Sequence, residues 1–164
     1  MSLIADFKYY DKSNLRIVYE IFFDNNTSAV FLFRLSSWFN HHHMKVFAHL
    51  FSMLNTTLNG CQISYDAKIG VGFKIYHSVG IVLGNTIAGN EFTLYQNVTV
   101  GMNHRVNDNG QDTPIFGDNV SIYSGAVVVG PITIGNHVRI GANTVVLKDV
   151  PNHTTVIGTK PTYI

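Results

Sequence analysis

Between Ile63 and Val150 large apolar residues return at every sixth position, and few folds are open to a chain that does this. Ile63, Ile69, Ile75, Ile81 and Ile87 form one series; after an interruption Phe116, Ile122, Val128, Ile134, Ile140 and Val146 form another. Four positions behind each comes a smaller or apolar partner: Ala67, Phe73 and Val79, then Val120, Ala126, Ile132, Val138, Thr144 and Val150. Gly70, Gly117, Gly135 and Gly141 directly follow the large residue. A helix repeats about every 3.6 residues and a half-buried strand every second one, so neither generates this series. A triangular coil of about three short strands per turn does, with the large residue inward, its partner beside it, and Gly, Asn and Asp at the corners. Each buried Ile or Val contributes roughly 1.5–3 kcal/mol. The inner column therefore accounts for the pattern without any appeal to function.

The period breaks twice. Near Ile87 the phase slips by one residue, and the next register runs through Ala88, Phe92, Leu94, Val98 and Val100, which predicts a local bulge. The stretch 101–115 is polar and rich in Gly and Asn, and predicts a loop thrown out of the coil that carries His104. Loops of this length in a compact domain are functional or disordered. Upstream of the coil the spacing is helical: Val46, Phe47, Leu50, Phe51 and Leu54 make one greasy face, expected to point to the core. Segments from Asn14 to Phe23 and from Thr27 to Phe39 read similarly, and "DNNTS" at 24–28 supplies caps between them. The expected organisation is a helical segment over 1–58 and a coil over 59–164.

Composition excludes several functions. Eleven Lys and Arg balance ten Asp and Glu, with no basic run to track a phosphate backbone, so nucleic acid is not expected as a partner. One cysteine, Cys61, makes no internal disulfide, and the N-terminus lacks a signal-peptide pattern, which points to the cytoplasm. The apolar helical stretches fall short of the roughly 20 residues a bilayer span needs. No transmembrane segment is expected, although contact of the aromatic helices with a membrane surface stays open. "HHH" at 41–43 is read as an exposed turn between helices rather than a metal clamp.

"IYHSVGIVLGNT", "YQNVTVG", "PITIGNHVRIGANTVVLKDVPNHTTVIG" and the helical "FRLSSW" together resemble the hexapeptide-repeat acyltransferases, and within them the serine O-acetyltransferases and their sugar-acetylating relatives. The resemblance runs from about Phe33 to Ile164. It implies a left-handed parallel β-helix preceded by helices, a homotrimer, acetyl-CoA as acyl donor and no metal. His77 matches the family's catalytic base, a role suited to an imidazole because it titrates near neutrality and can take a proton from a hydroxyl and release it again. His104 is the rival base: "NVTVGMNHRV" also resembles the segment of sugar acetyltransferases in which a loop histidine is catalytic. Gly101, Ser124, Gly125, Gly141 and Ala142 match positions along the acyl-CoA arm, and Arg139 and Lys160 are candidates for its phosphates.

Departures from the family pattern bear on the acceptor. The aspartate that orients the base is Gln62 here; Gln62 itself, a backbone carbonyl, Glu91 or Asp66 is left to take that role. The acidic residue before the histidine is Tyr76, and the Arg-His pair at the end of the loop reads Asp112 and Thr113. Because a free amino acid needs partners for both its charges, these changes favour a neutral acceptor: a sugar hydroxyl of a surface polysaccharide or its precursor, with serine as the alternative. A zinc enzyme on the same coil would want a tight histidine pair, which the spacing lacks. A non-catalytic binding coil is the remaining reading, and Cys61 is read as packing rather than as a nucleophile.

Overall fold

The computed structural model describes residues 5–9, 13–107 and 110–158. Its coil has three faces. The first carries β1 (Gln62–Ile63), β4 (Val82–Leu83), β7 (Thr99–Gly101), β10 (Val127–Val129) and β13 (Val145–Val146). The second face carries β2 (Lys68–Ile69), β5 (Ile87–Ala88), β8 (Ile115–Phe116) and β11 (Thr133–Ile134). On the third lie β3 (Lys74–Tyr76), β6 (Thr93–Tyr95), β9 (Ser121–Ile122), β12 (Arg139–Ile140) and β14 (Thr155–Val156). From β1 to β10 each strand pairs in parallel with the third strand after it, and β12 pairs with β14, so three strands make one turn; this is the parallel β-helix the period predicts.

Two members of the inward series are corrected. Ile87 is 49% exposed while Ala88 is buried, and Val79 is 63% exposed. The column runs Ile63, Ile69, Ile75, Leu83, Ala88, Leu94 and Val100, then Phe116 onward. Ile75 to Leu83 is eight positions instead of six, and Leu83 to Ala88 is five. Ile81 is buried as well, but in the partner position beside Leu83, which is why six-residue counting runs through it.

The edge between the second and third faces is regular. Asn90 Oδ1 accepts from the Val71 N–H at 3.0 Å, Asp118 Oδ1 from Asn90 at 2.6 Å, Asn136 Oδ1 from Asp118 at 2.7 Å, and Asn152 Oδ1 from Asn136 at 2.7 Å. Each of these side chains fills the space a Cβ would take at Gly70, Gly89, Gly117 or Gly135 of the preceding turn, so the glycines are there for close approach. The next corner residue is left-handed at Glu91, Asn119, His137 and His153, and its N–H donates to a carbonyl one turn back. His137 and His153 stack at 4.7 Å on this edge, outside any cleft.

The helices are α1 (Ala5–Tyr9), α2 (Asn14–Phe23), α3 (Asn25–His41) and α4 (Lys45–Asn59). Asp24 divides α2 from α3 because its carboxylate caps α3, accepting from the Thr27 N–H at 2.9 Å. The expected core face of α4 is corrected: Val46 is 81% exposed and Phe47 and Leu50 about half as much. The helix instead buries Ala48, Asn55 and Asn59, while Phe47 and Phe51 stack on Phe39 of α3. A buried ion pair ties the helices to the first turn. Arg34 donates to both Asp6 oxygens and to the Ile69 and Gly70 carbonyls, and Asp6 accepts from the Phe73 N–H. Pairing of this kind is what makes a buried charge tolerable. Among the described residues no helix is long and apolar enough to cross a membrane. The three histidines at 41–43 close α3 and lead into α4, with the His42 ring against the Trp38 carbonyl.

Candidate active site

His77 lies on the edge between the third and first faces, and the chain makes room for it by insertion. Tyr76 pairs with Tyr95 before the corner. After it, Val79 takes the place held by Gln96 and Ser124 in later turns, since the Asn97, Gly125 and Asn143 N–H groups donate to the carbonyls of Val79, Gln96 and Ser124 in succession. His77 and Ser78 are therefore two residues added to an otherwise regular edge. His77 adopts a left-handed backbone, φ 57°, and its side chain is exposed. Its ring makes no hydrogen bond within the chain among the described residues. Ser78 beside it is buried and points the other way, into the helices.

The same edge gathers most of the residues matched to the acyl-CoA arm. Ser124 and Gly125 stand at the corner of the third turn, Gly141 and Ala142 at that of the fourth. With turns about 4.8 Å apart, these lie in line with His77 over roughly 10–15 Å. Tyr76, Tyr95 and Tyr123 stack along the edge at 4.9 and 5.0 Å, and the Lys74 ammonium lies over the Tyr76 ring. Burial and the neighbouring tyrosines push the Tyr95 phenol above its usual range, so it stays neutral. Gln96, missed by sequence reasoning, buries its Oε1 on this edge with no hydrogen-bond partner among the described residues. Arg139 is exposed on the third face; Lys160 lies outside the described residues.

Other candidates stand elsewhere. Gly101 ends β7 at the edge between the first and second faces, where the loop carrying exposed His104 departs. Nothing lies within 4 Å of a Cβ built at Gly101. One face separates this edge from that of His77, on the order of 10–15 Å at about 3.3 Å per extended residue, so one protomer does not bring the two histidines to a shared proton. Of the groups considered for orienting His77, Glu91 lies on the second-to-third edge and accepts from the Tyr9 hydroxyl, and Asp66 accepts from Asn40 at 2.8 Å. Only Gln62 opens on the His77 edge, at the start of the first face. Burial pushes the Cys61 thiol up to about 12, which leaves it protonated and unfit as a nucleophile. Among the described residues no group of three or more His, Cys, Asp or Glu forms a metal site.

A cleft of about 360 Å³ opens next to Tyr76, between the helices and the first turn, and Arg16, Glu20, Asp24, Asn26 and Lys74 line it. Both signs of charge line it beside the His77 corner, with Arg16 Nε bonded to Glu20 Oε1 at 2.8 Å and Asp24 capping α3.

Comparison with known proteins agrees with this geometry. Residues 113–148 match the family "Bacterial transferase hexapeptide (six repeats)". The chain is 39% identical over 131 residues to a serine acetyltransferase of Synechococcus elongatus, covering 79% of this chain and 53% of that one. Its fold superposes on Entamoeba histolytica serine acetyltransferase isoform 3, solved with cysteine, at a TM-score of 0.78 and 28% identity, over 99% of this chain and 58% of that one. It also superposes on a serine acetyltransferase in complex with CoA at a TM-score of 0.71 and 30% identity, over 79% and 52% of the two chains. The chain spans about half the length of the curated relatives it matches. It is a parallel β-helix of hexapeptide repeats, similar over most of its length to serine acetyltransferases.

These likenesses overturn the sugar hydroxyl as expected acceptor, because the relatives matched are serine acetyltransferases and not sugar-acetylating enzymes. That expectation rested on Tyr76, Asp112 and Thr113 standing where the family pattern has an acidic residue and an Arg-His pair to hold the amino acid's two charges. The cleft beside Tyr76 supplies charges of both signs from α2, from the start of α3 and from β3, which position-by-position matching within the coil does not count.

Proposed function

We propose that the chain transfers an acetyl group from acetyl-CoA to the hydroxyl of serine, with His77 as general base. The observation that carries this reading is the corner at His77, where two inserted residues present an exposed imidazole on the edge that also carries Ser124, Gly125, Gly141 and Ala142. In the step proposed, a His77 ring nitrogen takes the proton from the serine hydroxyl as its oxygen attacks the thioester carbon. The carbon–sulfur bond then breaks, and the imidazolium returns the proton to the departing thiolate. The small residues Ser124, Gly125, Gly141 and Ala142 let the donor's arm approach the backbone. Arg139 and Lys160 are proposed for its phosphates. Glu20 and Asp24 are suited to the ammonium of serine, and Arg16 and Lys74 to its carboxylate.

His104 and Gly101 enter this reading across a boundary between copies. A homotrimer would set the loop edge of one protomer against the His77 edge of the next, so that His104 contacts the acceptor and backbone N–H groups near Gly101 receive the developing oxyanion. Exposed Val82, Val145 and Leu147 on and beside the first face supply apolar surface for such packing. The test is acetyl transfer from acetyl-CoA by the purified protein, with serine and a panel of sugars as acceptors and mass spectrometry of the products. O-Acetylserine formation that fails in His77→Ala supports the proposal; transfer to sugars alone, or activity that survives His77→Ala and falls only in His104→Ala, overturns it.

A further inference from the structure

A left-handed backbone at a residue other than Gly costs roughly 1–2 kcal/mol, so something must hold His77 there. On the second-to-third edge the holding is uniform. Glu91 donates its N–H to the Val71 carbonyl at 2.8 Å, Asn119 to Asn90, His137 to Asp118 and His153 to Asn136. Each left-handed corner hangs from the turn before it. His77 is one of two residues added to its corner and has no counterpart in the other turns; the regular corner residue there, Gly80, donates its N–H to the Gly60 carbonyl at 2.9 Å.

The helix ends hold the added pair. The Ser78 N–H donates to Asn26 Oδ1 at 3.0 Å, in the first turn of α3, and the Ser78 hydroxyl donates to the Asn59 carbonyl at 2.9 Å, at the end of α4. Both anchors are themselves fixed. Asn26 Nδ2 donates to the capping carboxylate of Asp24 at 3.2 Å. Asn59 Nδ2 donates to Asn55 Oδ1 at 3.0 Å, and Asn55 Nδ2 to the Ala29 carbonyl at 3.0 Å. Two bonds therefore grip the residue directly after His77, one from each helix, on the side away from solvent. With no carboxylate on the ring, these bonds are what the chain offers to aim the imidazole.

We infer that Asn26 and Ser78 are positioning residues for His77: the Asn26 side chain and the Ser78 hydroxyl hold the inserted corner so that the imidazole faces the acceptor, the place an orienting carboxylate would otherwise fill. This rests on His77 being the base. A misplacement of about 1 Å at a reacting group costs on the order of 10²-fold in rate, so loosening the corner acts on turnover rather than on substrate affinity.

The experiment compares Asn26→Ala, Asn26→Asp, Ser78→Ala and, as a control on the regular edge, Asn119→Ala, all in the full chain. The expected result is a kcat reduced about 10- to 100-fold in Asn26→Ala and Ser78→Ala, with KM for both substrates changed less than about twofold in Ser78→Ala, whose side chain does not line the cleft proposed for serine. Asn26→Asp, which keeps an acceptor oxygen for the Ser78 N–H, recovers most of the loss, and Asn119→Ala keeps its activity. The second readout is the NMR signature of His77. Its 13Cα and 13Cβ shifts are those of a left-handed residue in the parent, and they move toward averaged values in Asn26→Ala. An unchanged kcat in Asn26→Ala, a loss shared equally by Asn119→Ala, or a His77 signature that stays fixed overturns the inference. If the parent transfers no acetyl group at all, the functional reading falls, and the His77 shifts alone then decide whether Asn26 holds the corner.

Discussion

The second-to-third edge and the third-to-first edge are built from the same repeat and have opposite characters. Along the former, Gly70, Gly89, Gly117 and Gly135 admit the side chains of Asn90, Asp118, Asn136 and Asn152, and each of these closes one backbone N–H of the turn before. The stacked His137 and His153 belong to the same ladder through their backbone N–H groups, and Asn119 Nδ2 lies 3.2 Å from His137 Nδ1. Along the latter the ladder gives way to stacked tyrosines, an inserted His-Ser pair and an acceptor atom on Gln96 without a partner. Bonding capacity withheld from the fold is capacity offered to a ligand. A histidine thus has a different meaning on each edge, although His77, His137 and His153 share the same left-handed backbone.

The sharpest way to break this contrast is to remove a histidine from each edge. His77→Ala should lower kcat by about 10²- to 10⁴-fold, the range general-base catalysis contributes, with little change in Tm because its ring is exposed. His137→Ala should leave turnover within about twofold. Equal losses in the two variants, measured as initial rates of CoA release, would erase the distinction between edges.

Glycine substitutions sharpen it next. A Cβ at Gly117 would sit 2.9 Å from the Asn136 backbone nitrogen and collide with its side chain. Overpacking of this sort costs about 1–3 kcal/mol, and each kcal/mol should lower Tm by about 2–4 °C in a chain of this size. Gly117→Ala should therefore melt early while the folded fraction keeps its turnover. Gly101→Ala reverses both effects: with nothing near the new methyl, Tm should hold, while KM for acetyl-CoA rises if an acyl donor passes there. Thermal melts and acetyl-CoA titrations on the two variants settle the pair.

The later turns are the more legible part of the coil. Their inward residues from Phe116 to Val146 recur on all three faces without a slip, so counting by six suffices. Counting fails around His77 because two deviations lie close together in sequence, two residues added after Tyr76 on its own edge and one removed before Ala88 on the next. The isoleucines at 75, 81 and 87 bridge both, since Ile81 is buried in a partner position and Ile87 is not buried at all. His77 as base, like the line of Ser124, Gly125, Gly141 and Ala142 along the donor, is a reading from resemblance. Its support was out of reach: Asn26 bonds Ser78 across 52 positions of sequence and Asn59 across 19, and no local pattern records such pairings. The open face of α4 misled for a related reason. A greasy helical stripe reads as core, yet this one faces away from the coil, and a period says only that a face is apolar, not what covers it.

The smallest effect concerns the thiol beneath the His77 edge. Cys61 follows Gly60, and burial holds it protonated up to about pH 12, whereas in the unfolded chain it ionises near pH 8.5. Below pH 8.5 both states carry the proton, so the group adds no pH dependence to stability. Between about 8.5 and 12 the folded state binds more protons than the unfolded one, and stability falls as pH rises, by up to about 1.4 kcal/mol per unit from this group. Cys61→Ala removes that slope, at the cost of a small cavity. The difference between parent and variant should therefore be constant from pH 6 to 8 and shrink from pH 9 upward in denaturant titrations. At pH 8 the native thiol should resist alkylation and react only on unfolding. Rapid alkylation of the folded protein would mean that this edge opens down to the core, and that the exposed imidazole stands on a loose corner rather than a gripped one.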